Sequence, residues 1–188
     1  YKGLYQLHNL GGGTAKTVFA SIISRYQDPD GDLGISDEGW EIAAKFLGNA
    51  HNIADGEDAV GSVIDGTYPM DEHWASGVLT EQKDRDYKFQ IMTPDIGEPY
   101  VVESLAISAG TKKYDTCVAF LNWLGSSDVQ LDWSNNYGTI PCQKEALDQV
   151  SDDIKELMET LKPQDLDWSF IAENVDAWVE KAELEYVQ

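Results

Sequence analysis

The chain has 188 residues, of which 42% are hydrophobic and 11% aromatic, and a formal net charge of −21. That apolar content supports the packed core of one domain or of two small ones and excludes a disordered chain. The negative field repels phosphate backbones and anionic membrane surfaces alike, which excludes nucleic acid as a partner. The acidic residues form no tail, so solvated helix faces account for them.

A strand candidate, Leu4 to Leu7, runs through His8, Asn9 and Leu10 into Gly11, Gly12, Gly13 and Thr14. Ala15, Val18, Phe19, Ile22, Ile23 and Tyr26 then recur with the spacing of an amphipathic helix. Glycines at such a junction permit a sharp turn and let a ligand approach the main chain closely. The first amides of a helix have no internal acceptor and stand at the positive end of its dipole, so strand, glycine turn and helix make a receptor for an anionic group. Thr14 is placed to cap the helix or to turn its hydroxyl to the ligand. Neither a dinucleotide fingerprint nor a P-loop is present, since Lys16 occupies the place of a third glycine and Lys16-Thr17 lacks the upstream glycine spacing. A turn whose glycines only relieve crowding accounts for the same residues.

Asp28-Pro29-Asp30-Gly31-Asp32 resembles the start of a calcium loop, but Leu33 and Gly39 hold the positions that need glycine and glutamate. A polar turn between two helices is therefore expected. Ser36 caps a second helix with Asp37 and Glu38 in its first turn, Trp40, Ala43, Ala44 and Leu47 on its apolar stripe, and Gly48 at its end. A third helix is expected from Gly56 to Asp65, with Ala59, Val60, Val63 and Ile64 inward, followed by a turn into a short strand at Gly66 to Met70. Asp71, Glu72, His73 and Trp74 lead into a helix from Ala75 to Lys83. Tyr87 to Met92 and Val101 to Ser108 read as strands, separated by a loop at Pro94 to Pro99. Helices are expected at Tyr114 to Leu124, from Ser127 to about Trp133, at Lys144 to Val150, at Asp152 to Leu161 and at Phe170 to Tyr186. The last carries Ile171, Val175, Trp178 and Ala182 on one face. Strands alternating with helices in the first part imply an α/β layer structure with a small sheet.

Cys117 and Cys142 have no partners at metal spacing; Cys117 is expected as a buried free thiol on the apolar side of its helix, with a Cys117–Cys142 bridge as the alternative in an exported protein. No apolar run reaches the length of a membrane span, and no signal peptide is present. The abrupt opening at Tyr1 reads as a fragment of a longer protein, whose start could carry a targeting segment.

His8, His51 and His73 stand in no metal-binding helix pattern, so no metal is expected. There is no Gly-x-Ser-x-Gly elbow, and no catalytic residue is assigned. Asp71, Glu72 and His73 combine carboxylate and imidazole, which suits acid-base work and equally suits ordinary loop chemistry. In open α/β sheets ligands gather beyond the carboxyl ends of the strands, so His8 to Thr14 and Asp71 to Trp74 are expected to line one crevice. The glycine turn offers amide donors, Asp71 or Glu72 a counter-charge, and Trp74 a flat apolar wall or cation-π face. A small anion or zwitterion suits that mixture.

Further segments follow an order seen in a known family. These are Tyr1-Lys2-Gly3 before a strand, Gly13-Thr14-Ala15 opening a helix, Gly39-Trp40 with Leu47 and Asn49, and Val63-Ile64-Asp65-Gly66. Gly97-Glu98-Pro99-Tyr100-Val101 follows, then Ala119 to Leu124 with Ser126, Val129 and Gln130, Gly138-Thr139-Ile140-Pro141, and Asp165-Leu166-Asp167-Trp168. In this order the chain resembles the extracellular solute-binding proteins of ABC transporters, in the cluster that includes iron(III)- and phosphonate-type binding proteins. The resemblance spans nearly the whole chain and implies its C-terminal part.

It implies an α/β fold of the periplasmic-binding-protein-like II type, a small mixed sheet flanked by helices with additional C-terminal helices. Residues 1–95 would form the second, ligand-binding lobe, and 96–188 the hinge return and the helical part completing the two-lobe protein. Carried over by position, Gly12, Gly13, Thr14 and Ala15 would hold an anionic group, and His73 and Trp74 would meet the ligand. Asn9 joins them from the same loop, and Asp71 and Glu72 from charge. Iron-binding members use adjacent tyrosines near Asp71 to Trp74, a stretch without tyrosine here, and Thr67 replaces the family's glutamate. Ferric iron is therefore not expected.

The implied function is non-enzymatic: capture of a small anionic or zwitterionic solute between two lobes and delivery to a permease, outside the cytoplasm and with or without a lipid anchor. No cofactor is implied. The rivals are an enzyme acting on a phosphorylated small molecule and the effector-sensing domain of a regulator. Loss of the other lobe half is expected to expose apolar faces of the late helices, Trp178 among them, and to cause self-association.

Overall fold

Gln6 and Leu7 are both buried, and they form β1 (Gln6–Leu7), the strand around which the first part of the chain is organised. A strand covered on both faces belongs in the middle of a parallel sheet. In the computed structural model, which describes residues 1–187, β1 pairs in parallel with β3 (His51–Asn52), in the register Gln6↔His51 and Leu7↔Asn52. Main-chain direction alternates along a strand, so the N–H of Gln6 is left for the opposite edge, where it donates to the Met70 carbonyl at 3.1 Å. Tyr5 and Met70 make a parallel bridge there. The Gln6 amide, though buried, is satisfied by donating to the Ala59 carbonyl at 2.6 Å.

The chain divides into two compact units: Tyr1–His73 together with the residues from Asp165 onward, and Trp74–Gln164. In the first, β1 is followed by α1 (Gly13–Ile23) and a 3-10 turn at Ser24–Tyr26. β2 (Gln27–Asp32), α2 (Asp37–Gly48), β3 and α3 (Ala59–Asp65) come next, and the last helix, α9 (Trp168–Glu185), completes the unit. Its core holds Leu7, Phe19, Ile23, Ile35, Trp40, Leu47, Trp178 and Ala182.

Asp28 to Asp32 is not the polar turn expected from its composition. It is one arm of a tight hairpin, with Asp28 N–H donating to Gly34 and Ser36 N–H to Tyr26, both at 2.9 Å. The actual turn lies at Leu33 and Gly34, whose φ angles of 52° and 76° are left-handed. Ser36 then caps α2, its hydroxyl accepting the Gly39 N–H at 3.3 Å. A side chain at Gly39 would meet Ile35 Cγ2 at 2.5 Å, so only glycine lets the helix start sit this close to the hairpin. The third helix begins at Ala59, later than its apolar pattern suggested, because Asp58 caps it by accepting the Gly61 N–H. Gly66, in the left-handed region, ends it.

Trp178 is fully buried, contrary to its expected exposure. Its indole N–H donates to the Leu33 carbonyl at 2.9 Å and its ring packs against Phe170. Lys181, one turn on, pairs with Asp32 and Glu185 at 3.2 and 2.8 Å and covers the Trp40 ring.

The second unit holds α4 (Ala75–Arg85), α5 (Tyr114–Leu124), α6 (Ser127–Tyr137), α7 (Lys144–Leu147) and α8 (Asp152–Thr160). Neither Tyr87 to Met92 nor Val101 to Ser108 forms a strand. β-branched composition favours a strand only where a neighbour supplies the ladder, and among the described residues of this unit pairing is confined to a single bridge, Glu98↔Pro163. Helices flanking a small sheet, with further helices toward the C-terminus, make this the expected α/β architecture.

Candidate functional site

The carboxyl end of β1 delivers His8 and Asn9, and the segment bridged at Met70 delivers Asp71, Glu72 and His73. The two run in parallel, so both end on the same side of the sheet, where such sheets gather their ligands. A hydrogen bond from His8 N–H to Glu72 Oε1, 3.1 Å long, ties them together.

Both carboxyls lie largely out of water. Burial pushes Asp71 up to about 6, against the lowering effect of the nearby His8 and of the Glu72 N–H. Burial likewise pushes Glu72 up to about 7, against the lowering effect of the His8 N–H, with the Asp71 charge raising it further. Asp71 Oδ1, Glu72 Oε2 and His8 Nε2 are closed to solvent and have no hydrogen-bond partner among the described residues. One ring nitrogen each of His8 and His73 and one Asp71 oxygen lie within 4.8 Å of one another.

On the other side of His8, the glycine turn divides its amides. Asn9 Oδ1 accepts from Gly11 at 2.7 Å and the Asn9 carbonyl from Gly12 at 2.9 Å, so Asn9 organises the turn and uses up both N–H groups. Gly12 itself is the cap position, and Thr14 lies inside the helix rather than capping it. The N–H groups of Gly13, Thr14 and Ala15 have no acceptor among the described residues. Ala15 contributes only its main chain, because its methyl is in the core.

Thus Asn9, Gly12, Gly13, Thr14, Ala15, Asp71, Glu72 and His73 all belong to the first unit, grouped at the carboxyl ends of neighbouring strands. Trp74 belongs to the second unit, at the cap of α4, with 55% of its surface exposed. His8, expected only as the start of the crevice-lining segment, stands among these carboxyls itself. Its signal is positional: it is the first residue beyond the buried end of β1. The third histidine, His51, is engaged elsewhere, stacked on Tyr68 and 2.8 Å from Glu57.

The sequence profile of the bacterial extracellular solute-binding proteins matches residues 4–162. The chain belongs to that family. A probable ABC transporter periplasmic-binding protein of Sinorhizobium fredii is 32% identical over all 188 residues of this chain. The match covers 52% of that relative, so the chain spans about half its length. No solved structure matches significantly. Membership in the solute-binding family agrees with the resemblance drawn from the order of motifs. Among the described residues no helix is long and apolar enough to cross a membrane.

Proposed function

We propose that this solute-binding chain contributes the ligand-gripping part of an ABC importer's receptor, without catalysis, and that its solute is a small anion or zwitterion handed on to a permease. The observation that carries the reading is the pairing of opposite chemistries at one sheet end. Three amides at the start of α1 have no acceptor among the described residues, and at the carboxyl end of the neighbouring segment Asp71 Oδ1 and Glu72 Oε2 have no donor among them. The amides suit a phosphonate, phosphate or carboxylate group. Asp71 and Glu72 call for a positive charge, whether from a zwitterion's amine or from another source.

In this reading residues 1–95 belong to the ligand-binding lobe and 96–188 to the hinge return and the helices completing a two-lobe receptor, with α9 returning to the first unit. Contacts from both lobes would stabilise a closed state, so the chain alone binds weakly. The receptor would work outside the cytoplasm, exported with or without a lipid anchor.

Amide chemical shifts followed while phosphonates, phosphorylated small molecules and amino-phosphonates are titrated in test the site. Expected are shifts at Gly13, Thr14 and Ala15 with weak affinity. Shifts confined to other regions, or tight binding by this chain alone, overturn the reading.

Self-association of the chain is proposed from a different face than the sequence suggested. Phe120 and Trp123 on α5, and Val101, Val102 and Leu105 before it, are exposed while Trp178 is not. Light scattering is expected to detect oligomers that the double substitution Phe120→Ser, Trp123→Ser disperses; a monomer at high concentration refutes this.

A further inference from the structure

The acidic end of the site is a grouping of a kind that free carboxylates alone do not explain. His8, Asp71 and His73 each offer a ligand atom, all within 4.8 Å of one another. Two of these residues also carry a polar atom, His8 Nε2 and Asp71 Oδ1, that is shut off from solvent and makes no hydrogen bond among the described residues. Polar atoms removed from water without a partner are costly, and a bound cation is one way in which proteins satisfy such a set.

The donor chemistry narrows the cation. Two imidazole nitrogens with one carboxylate oxygen suit zinc and its first-row divalent neighbours, whereas calcium and magnesium demand shells of oxygen. Around a tetrahedral zinc with bonds of about 2.0–2.2 Å, ligand atoms stand about 3.3–3.6 Å apart, so movements of less than about 1 Å per side chain would close the set. His8 and Asp71 are presented by adjacent parallel segments rather than by one flexible loop, and the bond from His8 N–H to Glu72 fixes the two ends against each other. Glu72 Oε2, also without a partner among the described residues, adds a negative charge beside the cluster.

We propose that His8, Asp71 and His73 form a site for one divalent transition ion of the zinc type, with coordination positions left over for water or a solute oxygen. The ion supplies the positive charge that the two carboxyls lack. The assignment concerns the ion alone and holds whatever the solute is. Helical metal motifs place their ligands a turn apart, while this set is assembled from neighbouring segments far apart in sequence, which is why it escapes a reading by spacing.

The test uses the unaltered 188-residue chain, stripped with a chelator and then titrated with Zn2+ in a calorimeter. Histidine ring 15N resonances are recorded by NMR with and without one equivalent of the metal. One equivalent is expected to bind with micromolar or tighter affinity, and to shift a ring-nitrogen resonance of His8 and of His73 while leaving those of His51 in place. His8→Ala or Asp71→Asn is expected to weaken binding about tenfold or more, and His51→Ala to leave it intact. Absence of binding, or zinc held without shifts at His8 and His73, overturns the proposal. The spectra need no variant, so a substitution that fails to fold does not blur the answer. Solute titrations are read separately, and a failure there leaves the zinc result standing.

Discussion

Trp178 on α9 and Trp123 on α5 are the same residue type on the apolar sides of two helices, yet the first is closed off completely and the second is 54% exposed. Around Trp178, the first unit offers Phe170, the Leu33 carbonyl and the α1–α2 pair, so every part of the indole has a partner. Around Trp123 the second unit offers Phe120, itself exposed. Apolar periodicity identifies the face that wants a partner; it carries no information on whether the partner is present. The contrast extends to the backbone. Residues 5–7 found neighbours on both edges, whereas residues 101–108, better strand formers by composition, found none and stayed irregular.

The largest test of this contrast is the pair of substitutions Trp178→Ala and Trp123→Ala, followed by urea unfolding. The first is expected to cost about 3–5 kcal/mol through lost burial and a cavity, and the second less than about 1 kcal/mol. Equal costs would show that α5 is packed as tightly as α9.

The next concerns Glu72 in metal-free protein. Its folded pKa stands raised from 4.5 to about 7. Between those values the folded state binds more protons than the unfolded one, so stability falls as pH rises through the window and the loss is complete above it. Glu72→Gln keeps an acceptor for the His8 N–H and removes the charge. It is expected to stabilise the first unit by about 1–2 kcal/mol near pH 8 and to leave stability near pH 4 unchanged, as read from thermal unfolding at both pH values. A destabilised variant near pH 8 would mean that the ionised carboxyl has a partner.

The smallest effect compares two helix caps. Asp167 in the first unit accepts the N–H groups of Ser169 and Phe170, whereas Ser151 in the second caps α8 without a side-chain hydrogen bond. Asp167→Ala is expected to cost about 1 kcal/mol and Ser151→Ala a few tenths at most, again by urea unfolding.

Much of the helical framework was legible because helices are specified locally. Ser36 with its two acidic followers, Gly66 at the end of α3, and the apolar stripe of α5 each announce themselves within a few residues. The strands were legible only in part, β1 lying within the Leu4-to-Leu7 candidate. β1 spans two residues, and its partner His51-Asn52 carries no β-branched side chain, so only the tertiary arrangement reveals the pairing. At the site, the glycine turn and the Asp71-to-His73 run could be nominated from chemistry and position. That Asn9 takes up the N–H groups of Gly11 and Gly12, and that His8 faces the carboxyls, depends on φ, ψ and register, which residue identity does not encode.

The return of α9 to the first unit orders events during synthesis. On the ribosome, Phe19, Ile23 and Leu47 emerge early, but the helix that seals them is made only after all of Trp74–Gln164 has been translated. For that interval the nascent chain carries an open apolar groove over a fully made sheet, a state prone to aggregation unless something shields it. A polypeptide built this way stays unlocked until α9 is made.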